Sequence, residues 1–148
     1  MSVNLFEVPL QDDENPDGYH TWYAKVGPLV GAEHFGMSVY ELSRGQSVCP
    51  YHYETDEEWL IVLTGHPTLR TPEGEQQLRP WDAVFFPNGE AGAHKVTNYD
   101  EQTSRVTMAS INRTPSCAVY SDSNKVGVWP VDKLFRLADA VDYWDGEL

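Results

Sequence analysis

The sequence predicts an all-β fold, a sandwich or a barrel of short strands. Three observations lead there. About eight short segments show strand alternation or a short β-branched apolar run. Turn residues separate these segments at regular intervals. Only residues 131–144 offer a stretch that could hold a short helical turn.

The elements follow in order. Residues 11–18 are polar and turn-rich and read as a loop. Over residues 34–42, Phe35, Met37 and Val39 alternate with Ser38 and Tyr40, which is strand periodicity. Ser43, Arg44 and Gly45 then read as a turn. Trp59 to Leu63 is a short apolar run that stops at Thr64 and Gly65, so it predicts a strand buried on both faces. Residues 67–71 and 75–79 flank Pro72, Glu73 and Gly74, a hairpin signal. Ala83 to Phe86 ends at Pro87, Asn88 and Gly89. Further strands are expected at residues 94–98, 103–113, 118–121 and 125–129. A single domain over residues 1–148 is the economical reading, with its barrel core at about residues 34–113.

Composition narrows the function. Net charge is -13, from 10 basic and 23 acidic residues, so nucleic acid and anionic membrane surfaces are repelled on average. No apolar run is long enough to predict a membrane span. The first residues lack the basic flank and long apolar stretch of a secretory signal, which points to the cytoplasm. Cys49 and Cys117 are the only cysteines, and two thiols in such a chain are expected to be reduced. Cys49 lies three residues before His52 and could line the same cavity.

The candidate chemistry is a split set of metal ligands. His52, Glu54 and Glu58 lie in one segment and His94 in another. His52 and Glu54 are two apart, so a strand projects both from one face, and Glu58 shares their parity. Glu57 has the opposite parity and reads as a surface residue. Two imidazoles and two carboxylates favour Mn(II), Fe(II), Co(II) or Ni(II) over soft ions, and zinc is compatible. Glu54 has a rival role, a general base beside a three-ligand metal. Tyr51, Tyr53, Arg70 and Phe86 are candidate substrate-pocket residues, with core packing as the competing reading for the aromatics. Arg70 could bind a substrate carboxylate in a bidentate fork or simply be solvated. His20, His34 and His66 have no partner at metal spacing. Asn98 is expected to satisfy the backbone of a turn.

Two motifs carry a family resemblance. Gly45, His52, Glu54, Glu58 and Gly65 form the first; Trp81, Pro87, Gly89, His94 and Asn98 form the second. The chain resembles the cupin family across about residues 34–113. Four departures stand out. Glu54 replaces the second histidine of the first motif, and Trp81 replaces a glycine. The spacings from Gly45 to His52 and from Gly89 to His94 are longer than usual.

The resemblance implies a jelly-roll barrel, a metal role most directly for His52, Glu58 and His94, and a homodimer paired edge to edge. It also implies a metal-dependent enzyme acting on a small molecule, with Fe or Mn foremost and oxygenase chemistry slightly favoured. Isomerase or lyase chemistry on a Lewis-acid metal is the alternative, as is a non-catalytic barrel that binds a sugar or metabolite.

Overall fold

A computed structural model describes residues 1–147. In chain order the strands are β1 (Gln11–Asp12), β2 (Trp22–Lys25), β3 (Phe35–Leu42), β4 (Tyr53–Glu54), β5 (Glu58–Thr64), β6 (Thr68–Thr71) and β7 (Gly74–Gln77). They continue with β8 (Ala83–Phe86), β9 (Lys95–Thr97), β10 (Ser104–Ile111), β11 (Ser116–Tyr120), β12 (Lys125–Trp129) and β13 (Lys133–Arg136). One sheet runs β1-β2-β3-β10-β5-β8. A second runs β13-β12-β11-β4 and a third β7-β6-β9. The second and third are stitched together by two isolated bridges, Ser47 with Thr97 and His52 with His94. The result is a double-sheet barrel, one of the two all-β forms that the strand pattern leaves open and the one that the resemblance implies.

The barrel core is made by alternate residues of facing strands. Leu42, Leu60, Val62, Leu69, Val96 and Val106 are buried together inside it. The opposite face of β3 buries Val39 against Val8, Ala24 and Val26, so the N-terminal segment covers part of the outer sheet. That packing explains why both phases of the β3 alternation carry apolar residues. Asn98, fully buried, ties the loop before β10. Its amide donates to the carbonyls of Leu42 and Gln102 at 2.9 Å, and its carbonyl accepts from Asp100 N–H. This is the turn role expected of it.

Several elements differ from expectation. A single helical turn, α1 (Val26–Leu29), lies near the N-terminus, and residues 11–12 of the predicted loop pair as β1. Within 131–144 the chain makes strand β13 before a 3₁₀ turn at Leu137–Asp139. Both β4 and β13 are too short or too exposed to show alternation. The barrel also extends beyond residue 113, because β11 and β12 close one side. β5 is not buried on both faces: Trp59 is 47% exposed, lying against Phe85 on the outside.

The motif departures have local causes. Trp81 occupies the left-handed region, φ 73°, the conformation for which glycine is the ordinary choice. It keeps the turn that glycine would make, with its N–H donating to Val62 O at 2.8 Å. The extra residues before His94 form a 3₁₀ turn, Glu90–Gly92. Gly92 sits so close to Pro87 O that an added Cβ would lie 1.7 Å from it.

Two substitutions should therefore move stability in opposite directions. Gly65 has φ 78°, and a Cβ there would lie 2.6 Å from Ser104 Cα. Gly65→Ala should cost about 2–4 kcal/mol. Trp81→Gly should stabilise by up to about 1 kcal/mol, because relieved backbone strain outweighs the added chain entropy. Urea unfolding of the two variants checks both signs, and Gly45→Ala, at φ 82° with nothing near an added Cβ, separates backbone strain from the clash at Gly65.

Candidate metal centre

The site begins with backbone hydrogen bonds. His52 N–H donates to His94 O at 3.2 Å, and His94 N–H donates to His52 O at 2.8 Å. This reciprocal pair sits at the seam between the second and third sheets, and it sets the two imidazoles side by side, centroids 4.8 Å apart. Glu58 comes from the other wall, at the start of β5, where it pairs with Phe86 and Ser110. The three side chains are buried, and each offers a ligand atom within 4.8 Å of the others.

Ring orientation is set from behind. His52 Nδ1 lies 3.0 Å from Pro50 O, and His94 Nδ1 lies 2.8 Å from Gly92 O. A carbonyl only accepts, so each Nδ1 carries a proton that it donates outward. Both Nε2 atoms then face the interior. His94 Nε2 is buried and has no hydrogen-bond partner among the described residues, although Glu58 Oε2 lies 3.5 Å away. Phe86 stacks on the His94 ring at 3.7 Å and 8°, and Tyr120 stacks on His52 at 5.7 Å. A buried nitrogen without a partner is costly, and a cation beside it resolves that cost. His52, Glu58 and His94 could therefore hold a divalent ion, whose ligands at about 2.1 Å sit on the order of 3–4 Å apart.

The protonation pattern agrees with a site built for a cation. Burial, and then the nearby Glu54 charge, push Glu58 up to about 7. Burial and the neighbouring His52 hold His94 down to about 4. For His52 burial opposes the charge, but Cys49, Glu54 and Glu58 outweigh it and push the imidazole up to about 11. A proton on His52 thus compensates the two carboxylates when no cation does.

Glu54 stands beside this triad. Its Oε1 is 3.6 Å from His52 Nε2, and its side chain is 31% exposed, against 11% for Glu58. It opens into a hollow of about 290 Å³ that His52 and Glu58 also line. Cys49 lines the same hollow, as its position suggested, with Sγ 3.5 Å from His52 Nδ1. Tyr40, Tyr120 and Trp129 complete its aromatic wall. Burial pushes the Tyr40 phenol up to about 12 and raises Tyr120, so both stay protonated donors near neutrality. A larger groove of about 470 Å³ lies between the β6–β7 hairpin and β8, and it holds none of the four candidate ligands.

The expected substrate-pocket residues are placed elsewhere. Arg70 is engaged in a fork with Asp122, at 2.6 and 2.9 Å, and stacks over Tyr51 at 3.9 Å. Neither residue lines the hollow. Tyr53 alternates with Glu54 along β4, so it takes the outer side. Phe86 packs behind His94 instead of facing a substrate. The hollow's true lining from β11 and β12, Tyr120 and Trp129, lies outside the predicted barrel core, so no motif spacing pointed to it. Glu57 is exposed, as its parity required. His20 does meet Asp12 and Asp13, but that group is exposed and caps its own turn: Asp12 accepts from Glu14 N–H, and Asp13 from Asn15 and Thr21 N–H.

The domain model described as "Cupin domain" matches residues 38–110. The chain is a small cupin. Among curated proteins none matches it in sequence. Solved structures agree on the barrel. One is a proposed sugar phosphate isomerase from Acidithiobacillus ferrooxidans, 23% identical, with 93% of this chain and 91% of that one covered and a TM-score of 0.83. Another is a cupin-superfamily sugar phosphate isomerase from Silicibacter pomeroyi, 20% identical, covering 98% of both chains with a TM-score of 0.82. A polyketide cyclase from Streptomyces resistomycificus is 26% identical over 78% of this cupin and 82% of its own length, TM-score 0.65. The cupin has no helix, among its described residues, long and apolar enough to cross a membrane.

Elemental analysis of untagged protein should find a divalent metal near one per chain, lost in His94→Ala and retained in Glu54→Gln. The cation competes with the protons on Glu58 and His52, so acid opposes binding. Titration with Mn²⁺ should give an affinity that rises from about pH 5.5 to about pH 8. An affinity flat across that range would contradict the protonation pattern.

Proposed function

We propose that this cupin is a metal-dependent isomerase of a small hydroxy-aldehyde or hydroxy-ketone, with Glu54 as its proton carrier. The observation that carries the reading is the position of Glu54. It lies beside the His52, Glu58 and His94 group, more exposed than Glu58, and it opens into the hollow where a substrate would sit. A divalent metal held by that group would supply a Lewis acid to the substrate's carbonyl and hydroxyl oxygens.

The chain's own residues would do the rest. The Glu54 carboxylate takes a proton from the hydroxyl-bearing carbon and returns one to the carbonyl carbon, while the hydroxyl proton passes to the former carbonyl oxygen, so atoms and electrons balance without a co-substrate. The Tyr40 and Tyr120 phenols, both kept protonated, donate hydrogen bonds to substrate oxygens. Trp129 and Met108 narrow the hollow and limit water. A second hollow of about 210 Å³ shares Glu54, Ser110 and Trp129 with the first and contains Arg113. Arg113 is the cation of this mouth. It is 60% exposed, and its Nη2 lies 2.5 Å from buried Asp56, an ion contact without hydrogen-bond alignment. An anionic group on the substrate would meet it there.

The oxygenase preference drawn from the sequence finds no support among the similar structures. The isomerase alternative fits better, since two of them are described as sugar phosphate isomerases.

The test uses metal-loaded protein with short aldoses, ketoses and their phosphates in D₂O, read by proton NMR. Carbon-bound deuterium should appear in substrate and isomer without oxygen uptake. Glu54→Gln should keep its metal and lose about 10²–10⁴-fold in exchange rate. Arg113→Ala should raise KM for phosphorylated substrates and leave kcat nearly unchanged. Oxygen consumption without deuterium exchange would reverse the assignment in favour of oxygenase chemistry.

A further inference from the structure

The cleft at the metal centre has two walls of unlike make. On the large sheet, Ser110 pairs with Gly36 on one side and with Glu58 on the other. On the facing sheet, Ala118 pairs with Glu54 on one side and with Gly127 on the other. Residues paired directly across strands share a face, so each row begins at a carboxylate of the site and ends at a glycine.

Gly127 lies inside strand β12, where glycine weakens the strand and ordinarily marks a close approach. It is not one of the glycines with positive φ, so no turn requires it. The close approach is that of Trp129, two residues on and on the same face. A Cβ on Gly127 would lie 2.8 Å from Cη2, 3.3 Å from Cζ3 and 3.4 Å from Cζ2 of the Trp129 indole, all atoms of the six-membered ring. The ring therefore lies back over the strand, in the gap that the missing side chain leaves.

That seat decides where the indole stands. Trp129 lines both the hollow of about 290 Å³ that holds His52, Glu54 and Glu58 and the hollow of about 210 Å³ that holds Arg113. Gly36, Glu54 and Ser110 are the other residues common to the two. The way from the metal group to Arg113 thus passes between the indole and the wall made by Gly36 and Ser110. One side offers an aromatic ring, the other a hydroxyl and bare backbone. A polyol chain matches that pair, with C–H groups toward the ring and hydroxyls toward the polar wall.

We propose that Trp129, seated on Gly127, selects the substrate by its length: an open-chain polyhydroxy aldehyde or ketone of four or more carbons with an anionic group at its far end. In a three-carbon compound the carbon bearing the anion adjoins the reacting pair, and none is left to lie on the indole. The proposal rests on the isomerase reading for the carbonyl at the metal group; the contact of the chain with Trp129 does not.

The test is binding of compounds that cannot isomerise: the terminal monophosphates of glycerol, erythritol and ribitol, with three, four and five carbons and no carbonyl. Zinc-loaded protein labelled with fluorotryptophan carries five reporters for fluorine NMR, and Trp129→Phe identifies the Trp129 resonance by its loss. From three carbons to five, Kd should fall about tenfold, or about threefold for each carbon buried on the ring. The five-carbon compound should shift the Trp129 resonance. Gly127→Ala should move that resonance in the free protein and weaken the five-carbon compound about tenfold, with the three-carbon one changed less than about twofold. Trp129→Phe added to Gly127→Ala should recover part of the loss, because a phenyl ring lacks the indole atoms that the new Cβ meets. A Kd indifferent to chain length, or a Trp129 resonance unmoved by the five-carbon compound, would overturn the proposal even if Gly127→Ala failed to fold. So would a double variant no better than Gly127→Ala, which means that the methyl acts through the strand. Deuterium exchange with a flat series would keep the isomerase and remove the selection by Trp129. A graded series without exchange would keep the selection and remove the isomerase.

Discussion

The reciprocal hydrogen bonds between His52 and His94 are the constraint on which the rest of the molecule depends. They close the centre of the seam between two small sheets, flanked by the Ser47–Thr97 bridge and by bonds from Val48 N–H to Val96 O and from Gly89 N–H to Glu54 O. The reciprocal bonds fix the spacing of the two imidazoles. Closing this part of the barrel and setting the two imidazoles side by side are thus the same contact.

Glu58 adds the third direction. It projects from the large sheet, so a cation held with the two histidines would tie one wall to the other. The surroundings are arranged for that ion before it arrives. Two carbonyls hold the Nδ1 protons outward, and an aromatic ring backs each imidazole. The cost is visible as a buried His94 Nε2 without a hydrogen-bond partner among the described residues and a carboxyl raised to about 7. Such orientation from behind is what usually gives a metal ligand its direction and basicity.

Glu54 shows how one replacement changes the chemistry available. A histidine there would present a nitrogen in line with the others. A carboxylate places its charge beside the triad and toward the hollow, where it can carry a proton. It also adds negative charge to the hollow, while Arg113 adds positive charge to the hollow beside it. The chain's overall charge of -13 acts in the same direction, discouraging polyanions at long range.

The sequence by itself determined the barrel and singled out the His52, Glu58 and His94 group that could hold a cation. Alternation in β3 reports burial on defined faces, and period-two parity paired His52 with Glu54, while Glu58 reaches the same interior from the other wall. Glycines at turns marked the ends, and even the Trp81 departure left its turn in place, because the backbone geometry there is imposed by the Val62 hydrogen bond. Four things only the tertiary structure decided. Arg70 and Tyr51 were unplaceable because Asp122, which engages Arg70, comes from a 3₁₀ turn 52 residues away. Tyr120 and Trp129 enter the hollow through a sheet whose pairing with β4 no local pattern encodes. The short strands β4 and β13 form by pairing rather than by propensity, so periodicity is silent about them. Whether Glu54 stands in the ligand group or beside it turns on a few ångströms of side-chain position, set by packing across the barrel. Local chemistry specifies which faces are apolar and where the chain turns; distances between remote side chains exist only once the sheets have closed.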